Sequence, residues 1–256
     1  GLSVMRPGFR RFFSFHKVFN DQHIYDIFED SHGYLWFAAS DGVHKYDPVD
    51  RSILSVKRIH YGTELLELKD VFCVAEDREG QMWIGSSVGL IKHIPDQDSY
   101  EVFQAGFMNR RSSINSNTVY SLHVDTDGSL WIGTAAGLNK YQPETNSFEF
   151  FSEPAELSEW RIYGILAEGS RNLWLSSGQG LCMYRPDLET FIRYSAADGL
   201  QGDEFIPGSS YRDDGGRMYF GGREGLNPFH PDSIAYNTYL PQLSFTEFVR
   251  FREQGG

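Results

Sequence analysis

One pattern, written five times along the chain, constrains its fold more than any other feature. In the first copy an apolar run, Ile24 to Glu29, leads into Asp30-Ser31-His32-Gly33. Leu35-Trp36-Phe37 follows, then Asp41-Gly42-Val43 and Tyr46-Asp47-Pro48. The aromatic of the second run recurs as Trp36, Trp83, Trp131, Trp174 and Tyr219, at intervals of 47, 48, 43 and 45 residues. A period of about 40–50 residues belongs either to the blades of a propeller or to a helical solenoid.

Local chemistry separates the two. Each copy is made of apolar runs four to seven residues long, rich in Val, Ile, Tyr and Phe and separated by turn residues, which is a strand pattern. No copy holds an amphipathic stretch long enough for a pair of helices. A further run closes each of the first four copies: Ser52–Val56, Tyr100–Phe103, Phe148–Phe151 and Phe191–Tyr194. Four antiparallel strands per repeat make a propeller blade. The expected fold is therefore all-β, a β-propeller of about five four-stranded blades. Phe12 to Phe19 reads as an outer strand with no blade in front of it. It could complete the last blade and close the ring, which would remove exposed sheet edges; the alternative is that the five blades are an arc cut from a larger propeller. Gly33, Gly80 and Gly128 are placed where the first hairpin turn needs a positive φ, and Asn172 is expected to take that role in the fourth copy. The repeated tryptophans are expected to pack one blade against the next.

Composition excludes several functions. The chain has 256 residues and a formal net charge of −12, which argues against nucleic acid or anionic lipid as a partner, since both need clustered Lys and Arg. The two cysteines, Cys73 and Cys182, form no CxxC pair and no metal-ligand spacing. No apolar stretch reaches the roughly 18 residues of a membrane helix. There is no P-loop, HExxH, GxSxG or GxGxxG, so no catalytic residue, cofactor or metal is expected. His44, His93 and His123 fall within strands and are expected to be packed or surface residues.

A binding site is best sought where the repeat rule lapses. In a four-stranded blade, the connection into the innermost strand and the turn between strands two and three emerge on one face, around the central channel. The entry positions are His23, Asp70, Asn117, Arg161 and Glu204, and the polar second-turn positions are Asp41, Gln179 and Glu224. They differ from blade to blade, as expected of a surface fitted to one ligand, and these eight residues are the candidate ligand-binding set.

The repeats also resemble a known family. Glu76-Asp77-Arg78-Glu79-Gly80-Gln81-Met82-Trp83-Ile84-Gly85 with Gly89-Leu90, and Asp125 to Thr134 with Gly137-Leu138, are similar to the two-component regulator propeller repeat. Asp198-Gly199-Leu200, Glu204-Phe205 and Tyr219 to Leu226 resemble the final repeat of such sensors. The resemblance implies the periplasmic sensing part of a membrane-anchored bacterial receptor, homodimeric when whole, that relays binding of a small molecule or oligosaccharide to a kinase or cyclase elsewhere. It also implies a propeller over residues 12–240 and, over 241–256, the start of a following β-sandwich, for which Leu243 to Phe251 supplies an alternating strand. A propeller scaffold also suits two other classes, a carbohydrate-active lyase or hydrolase and a protein-interaction scaffold.

Overall fold

The computed structural model describes residues 3–5, 12–14, 19, 22–106, 113–151, 155–169, 172–186 and 188–234. After a short hairpin of β1 (Ser3–Met5) and β2 (Phe12–Ser14), the five repeats form five antiparallel sheets. Blade one is β3 (Ile24–Glu29), β4 (Leu35–Ala39), β5 (Gly42–Tyr46) and β6 (Ile53–Val56). An added hairpin, β7 (Arg58–Tyr61) and β8 (Glu64–Glu67), separates it from blade two. Blade two is β9 (Val71–Glu76), β10 (Met82–Ser86), β11 (Leu90–Ile94) and β12 (Ser99–Phe103). Blade three is β13 (Val119–Val124), β14 (Leu130–Thr134), β15 (Gly137–Gln142) and β16 (Ser147–Phe151), and blade four is β17 (Ile162–Glu168), β18 (Asn172–Ser177), β19 (Gly180–Arg185) and β20 (Thr190–Tyr194). Blade five shows three strands among the described residues, β21 (Phe205–Arg212), β22 (Met218–Gly222) and β23 (Gly225–Phe229). The first strands of successive blades lie side by side around a common axis.

In blades one, two and five the Asp-x-x-Gly turn is tied to the second strand through one carboxylate. Asp77 Oδ1 accepts from the backbone N–H of Glu79 and Gln81, at 3.1 and 2.8 Å, while Oδ2 accepts from Trp83 Nε1 at 2.7 Å. Asp30 repeats this with Trp36 at 2.8 Å, and Asp213 with the Tyr219 hydroxyl at 3.0 Å. The turn thus sets the side chain that the blade presents to its neighbour. Gly80 turns the corner at φ +75°, a conformation that favours a residue without a Cβ. Blade four departs from the expected form: Gly169, at φ +58°, takes the left-handed position. Asn172 is instead the first residue of the second strand, donating to Glu168 Oε2 at 2.8 Å.

The tryptophans pack blade against blade. Trp36 meets His93 of blade two at a ring separation of 6.4 Å, Trp83 meets Tyr141 at 4.8 Å, Trp131 meets Tyr184 at 5.6 Å, and Trp174 meets Phe229 at 4.8 Å. Each joint carries its own buried apolar cluster. In the first three blades a lysine, directly across the sheet from the tryptophan, lays its ammonium over the indole: Lys45, Lys92 and Lys140, at 5.2, 5.0 and 4.9 Å.

The described part of the N-terminal strand does not complete the last blade. Phe12–Ser14 pairs with Ser3–Met5 in a separate two-stranded sheet. Phe19 is buried against blade one, edge-on to Phe37 at 5.3 Å and to His44 at 4.9 Å. A nearby segment closes a short loop at lower entropic cost than a strand from the far end of the chain. The stretch from Leu243 to Phe251, expected to begin a sandwich, lies outside the described residues.

Candidate functional site

Each of the first four inner strands carries a one-residue β-bulge at its second position. The register with the neighbouring strand skips Tyr25, Phe72, Tyr120 and Tyr163 in turn. A bulge bends the strand and re-aims the extra residue. Here it turns four aromatic rings toward one another around the entrance to the channel. Tyr25 meets Phe72 at 5.1 Å, Phe72 meets Tyr120 at 5.1 Å, and Tyr120 meets Tyr163 at 5.2 Å. Burial raises the pKa of the Tyr25 and Tyr120 hydroxyls, so both stay protonated donors, and Tyr25 donates to Asp70 Oδ1 at 3.2 Å. This collar is absent from the residues expected on sequence grounds. An aromatic at a repeated position reads as core, and only the bulge exposes it. The signal that could have found it is an aromatic one place after the first apolar residue of each unit.

Blade five breaks the rule. Its inner strand leaves the ladder at Phe205 and rejoins it at Ser210, so Ile206 to Ser209 form a four-residue excursion where the others have one. Ile206 takes the place of the aromatic. Beside the excursion lies a cavity of about 720 Å³ between blades four and five, lined by Arg161, Tyr163, Gln179, Glu204, Ile206 and Arg223 among others. Three of the expected residues, Arg161, Gln179 and Glu204, meet here. Arg223 Nε bonds Glu204 Oε2 at 2.9 Å across its rim. Gly208, in the same excursion, comes so close to blade one that a Cβ would lie 2.8 Å from the Tyr25 carbonyl oxygen.

Asp41 and Asp70 line a second cavity of about 640 Å³, between blades one and two and the added hairpin. Asp41 bonds Lys57 at 2.5 Å and buried His44 at 3.0 Å, and the other imidazole nitrogen bonds Ser55 Oγ at 2.8 Å. Burial alone would raise the Asp41 pKa, but the bonds from Lys57 and His44 outweigh it and hold the carboxyl below its ordinary value. Glu67 joins Lys69 at 3.1 Å on the same wall. The remaining three expected residues line neither cavity. Asn117 Oδ1 accepts from the Ala105 N–H at 2.6 Å and holds a loop, His23 stacks on Tyr25 at 6.3 Å, and Glu224 lies against Gly202. Among the described residues, no three His, Cys, Asp or Glu side chains are arranged to hold a metal ion.

The family profile "Two component regulator propeller" matches residues 19–41, 66–87 and 113–136. These segments begin just before the inner strands of blades one, two and three and run through the Asp-x-x-Gly turn to the end of the second strand. The chain carries two-component regulator propeller repeats. Over 55 residues, 22% of its length, the chain is 40% identical to histidine kinase P4 of Formosa agariphila, a stretch amounting to 4% of that protein. Its fold is that of the extracellular domain of a hybrid two-component system from B. thetaiotaomicron, with a TM-score of 0.69 and 20% identity over 82% of this chain and 29% of that one. A gluconolactonase from Xanthomonas campestris shares the fold more distantly, with a TM-score of 0.54 and 13% identity over 78% of this chain and 69% of that enzyme. The chain therefore spans less than a third of the two-component domain it resembles. Among the described residues, no helix is long and apolar enough to cross a membrane.

Proposed function

We propose that this propeller is the extracytoplasmic ligand-sensing module of a bacterial transmembrane receptor. It stands in the periplasm, it is homodimeric within the whole receptor, and it relays occupancy to a kinase or cyclase borne elsewhere. The ligand, a small molecule or oligosaccharide, sits in the cavity between blades four and five. The observation that carries this reading is the four-residue excursion of the blade-five inner strand, beside which the cavity of about 720 Å³ lies. The cavity offers an aromatic wall at Tyr163, a planar donor at Arg161 and an amide at Gln179, a set suited to a polar ligand rich in hydrogen-bond acceptors. The module acts by binding, not by turnover.

A thermal-shift screen against neutral and acidic oligosaccharides and small metabolites tests this. A ligand at about a hundred times its Kd stabilises the folded chain by about 2.7 kcal/mol. Arg161→Ala and Tyr163→Ala should abolish that shift, whereas Lys57→Ala, in the other cavity, should preserve it. The opposite pattern moves the site to the second cavity. Conversion of the ligand by the chain moves the protein to the enzyme class.

A further inference from the structure

The tryptophan of each blade meets a ring of the next, and at the first two joints a turn residue ties that ring down. Asp98 Oδ1 lies 3.8 Å from Nε2 of His93, the ring that Trp36 meets. Asn146 Oδ1 accepts at 3.0 Å from the hydroxyl of Tyr141, the ring that Trp83 meets. Glu189 holds the same place in blade four. Like Asp98 and Asn146 it is left-handed, at φ +50° against +47° and +45°, and its N–H returns to the carbonyl of the proline three residues back. The ring there is Tyr184, which Trp131 meets. Among the described residues, no hydrogen bond joins its hydroxyl to Glu189.

A cavity of about 380 Å³ opens beside this pair, between blades three and four. Its base is aromatic. Trp131 and Tyr184 are 2% and 3% exposed, Phe151 packs on them at 5.4 and 5.3 Å, and Phe191 stacks on Tyr184 at 4.4 Å. Each blade adds one exposed carboxylate, Glu149 on β16 and Glu189 in the turn before β20. Burial, and after it the charges of Glu149 and Glu189, push the Tyr184 hydroxyl up to about 12. Among the described residues neither carboxylate is in an ion pair, and Glu149 accepts only from the Gln142 side-chain amide, at 3.3 Å. Lys140 lies directly across the sheet from both Trp131 and Glu149, and it sets its ammonium over the indole at 4.9 Å. The cavity therefore already holds one ammonium on an aromatic face, with two carboxylates left over.

We propose that this cavity is a second binding site, for a small quaternary ammonium compound. The ligand takes the indole face in place of Lys140, with Glu189 beside it, and Lys140 moves to Glu149 across the strand pair. The negative faces of the rings hold the cation. A quaternary ammonium suits such a base better than a primary one, because a primary ammonium is compact and strongly hydrated and loses more water on entry. The site shares no lining residue with the cavity between blades four and five.

Isothermal titration of the 256-residue chain with choline chloride, against sodium chloride at the same ionic strength, tests the proposal. Choline should bind saturably at one site. Lys140→Met copies the pair that Trp174 makes with Met183 in blade four. It removes the competing ammonium and should lower the Kd about tenfold, within the range of one cation–π contact. Glu189→Gln, at an exposed position, should raise the Kd about fivefold. Arg161→Ala, in the other cavity, should leave it unchanged. Ethanolamine, with the same skeleton and a primary ammonium, should bind more weakly than choline. Choline that binds the parent no better than sodium does overturns the proposal. So does a Lys140→Met chain that binds more weakly than the parent, or a Glu189→Gln chain with the parent's Kd. Equal affinity for ethanolamine and choline overturns the assignment to quaternary ammonium compounds.

Discussion

Two tryptophans in equivalent places differ in one bond, and that difference predicts unequal stability. Trp83 and Trp131 are both nearly fully buried, both lie under a lysine ammonium at 5.0 and 4.9 Å, and both meet a tyrosine of the next blade. Trp83 Nε1 donates to Asp77 Oδ2 at 2.7 Å, whereas Trp131 Nε1 is buried with no partner. In blade three the turn carboxylate has swung away, and Asp125 Oδ1 accepts from the N–H of Thr126 at 2.6 Å. Replacing either indole by phenylalanine removes similar volume and similar cation–π contact, so those costs largely cancel in the comparison. Trp83→Phe also forfeits a hydrogen bond to a charged acceptor, worth about 1.5–3 kcal/mol, while Trp131→Phe removes an unsatisfied buried donor that costs about 1–3 kcal/mol. Trp83→Phe should therefore be the more destabilising by at least about 2 kcal/mol. That corresponds to a melting temperature at least about 4 °C lower in a chain of this size. Calorimetry, with urea unfolding followed by circular dichroism, measures both, and coincident transitions license the comparison. Asp77→Ala should cost less in the Trp83→Phe background than in the parent, because the shared bond is already gone. If Trp131→Phe proves as destabilising as Trp83→Phe, the indole–carboxylate bond is not what secures the blade.

Two further outcomes follow from buried titratable groups. Burial pushes the Cys182 thiol up to about 12 and the Cys73 thiol well above its ordinary value. Neither should react with a disulfide reagent such as DTNB at pH 8 in the native chain, and both should react once it is unfolded in urea. Burial also raises the Asp26 pKa above 3.8, against the amides of Val74 and Ile27 that donate to it. A carboxyl raised in the fold contributes stability that is fully present below pH 3.8 and is lost as pH rises through its folded value. Asp26→Asn, neutral throughout, should therefore be more stable than the parent at about pH 7, with the advantage shrinking as pH falls toward 3.8, as urea midpoints across that range would report.

The blades were legible in the sequence because the features that make them are local and repeated. An Asp two residues from a backbone donor and six from an indole builds the same turn in blades one and two, and alternating β-prone residues state which side of a strand is covered. Trp36, Trp83, Trp131 and Trp174 follow from this, as does the outer strand of each of the first four blades. The turn of blade four differs from the sequence expectation because two residues there tolerate a positive φ: Gly169 takes it, and Asn172 opens the second strand and bonds Glu168. The candidate site was legible only in part. Arg161, Gln179 and Glu204 were found as exceptions to the repeat and do meet, but Asn117 was drawn into holding its own loop.

What the sequence determined by itself is the repeating unit: five four-stranded blades in prospect, the turn carboxylate, and the aromatic carried from each blade to the next. Only the tertiary structure decided what lies between units. A one-residue bulge turns Tyr25, Phe72, Tyr120 and Tyr163 from core into a collar, because side-chain direction in a strand depends on register with a partner and not on residue type. A four-residue excursion opens a cavity beside Ile206 for the same reason.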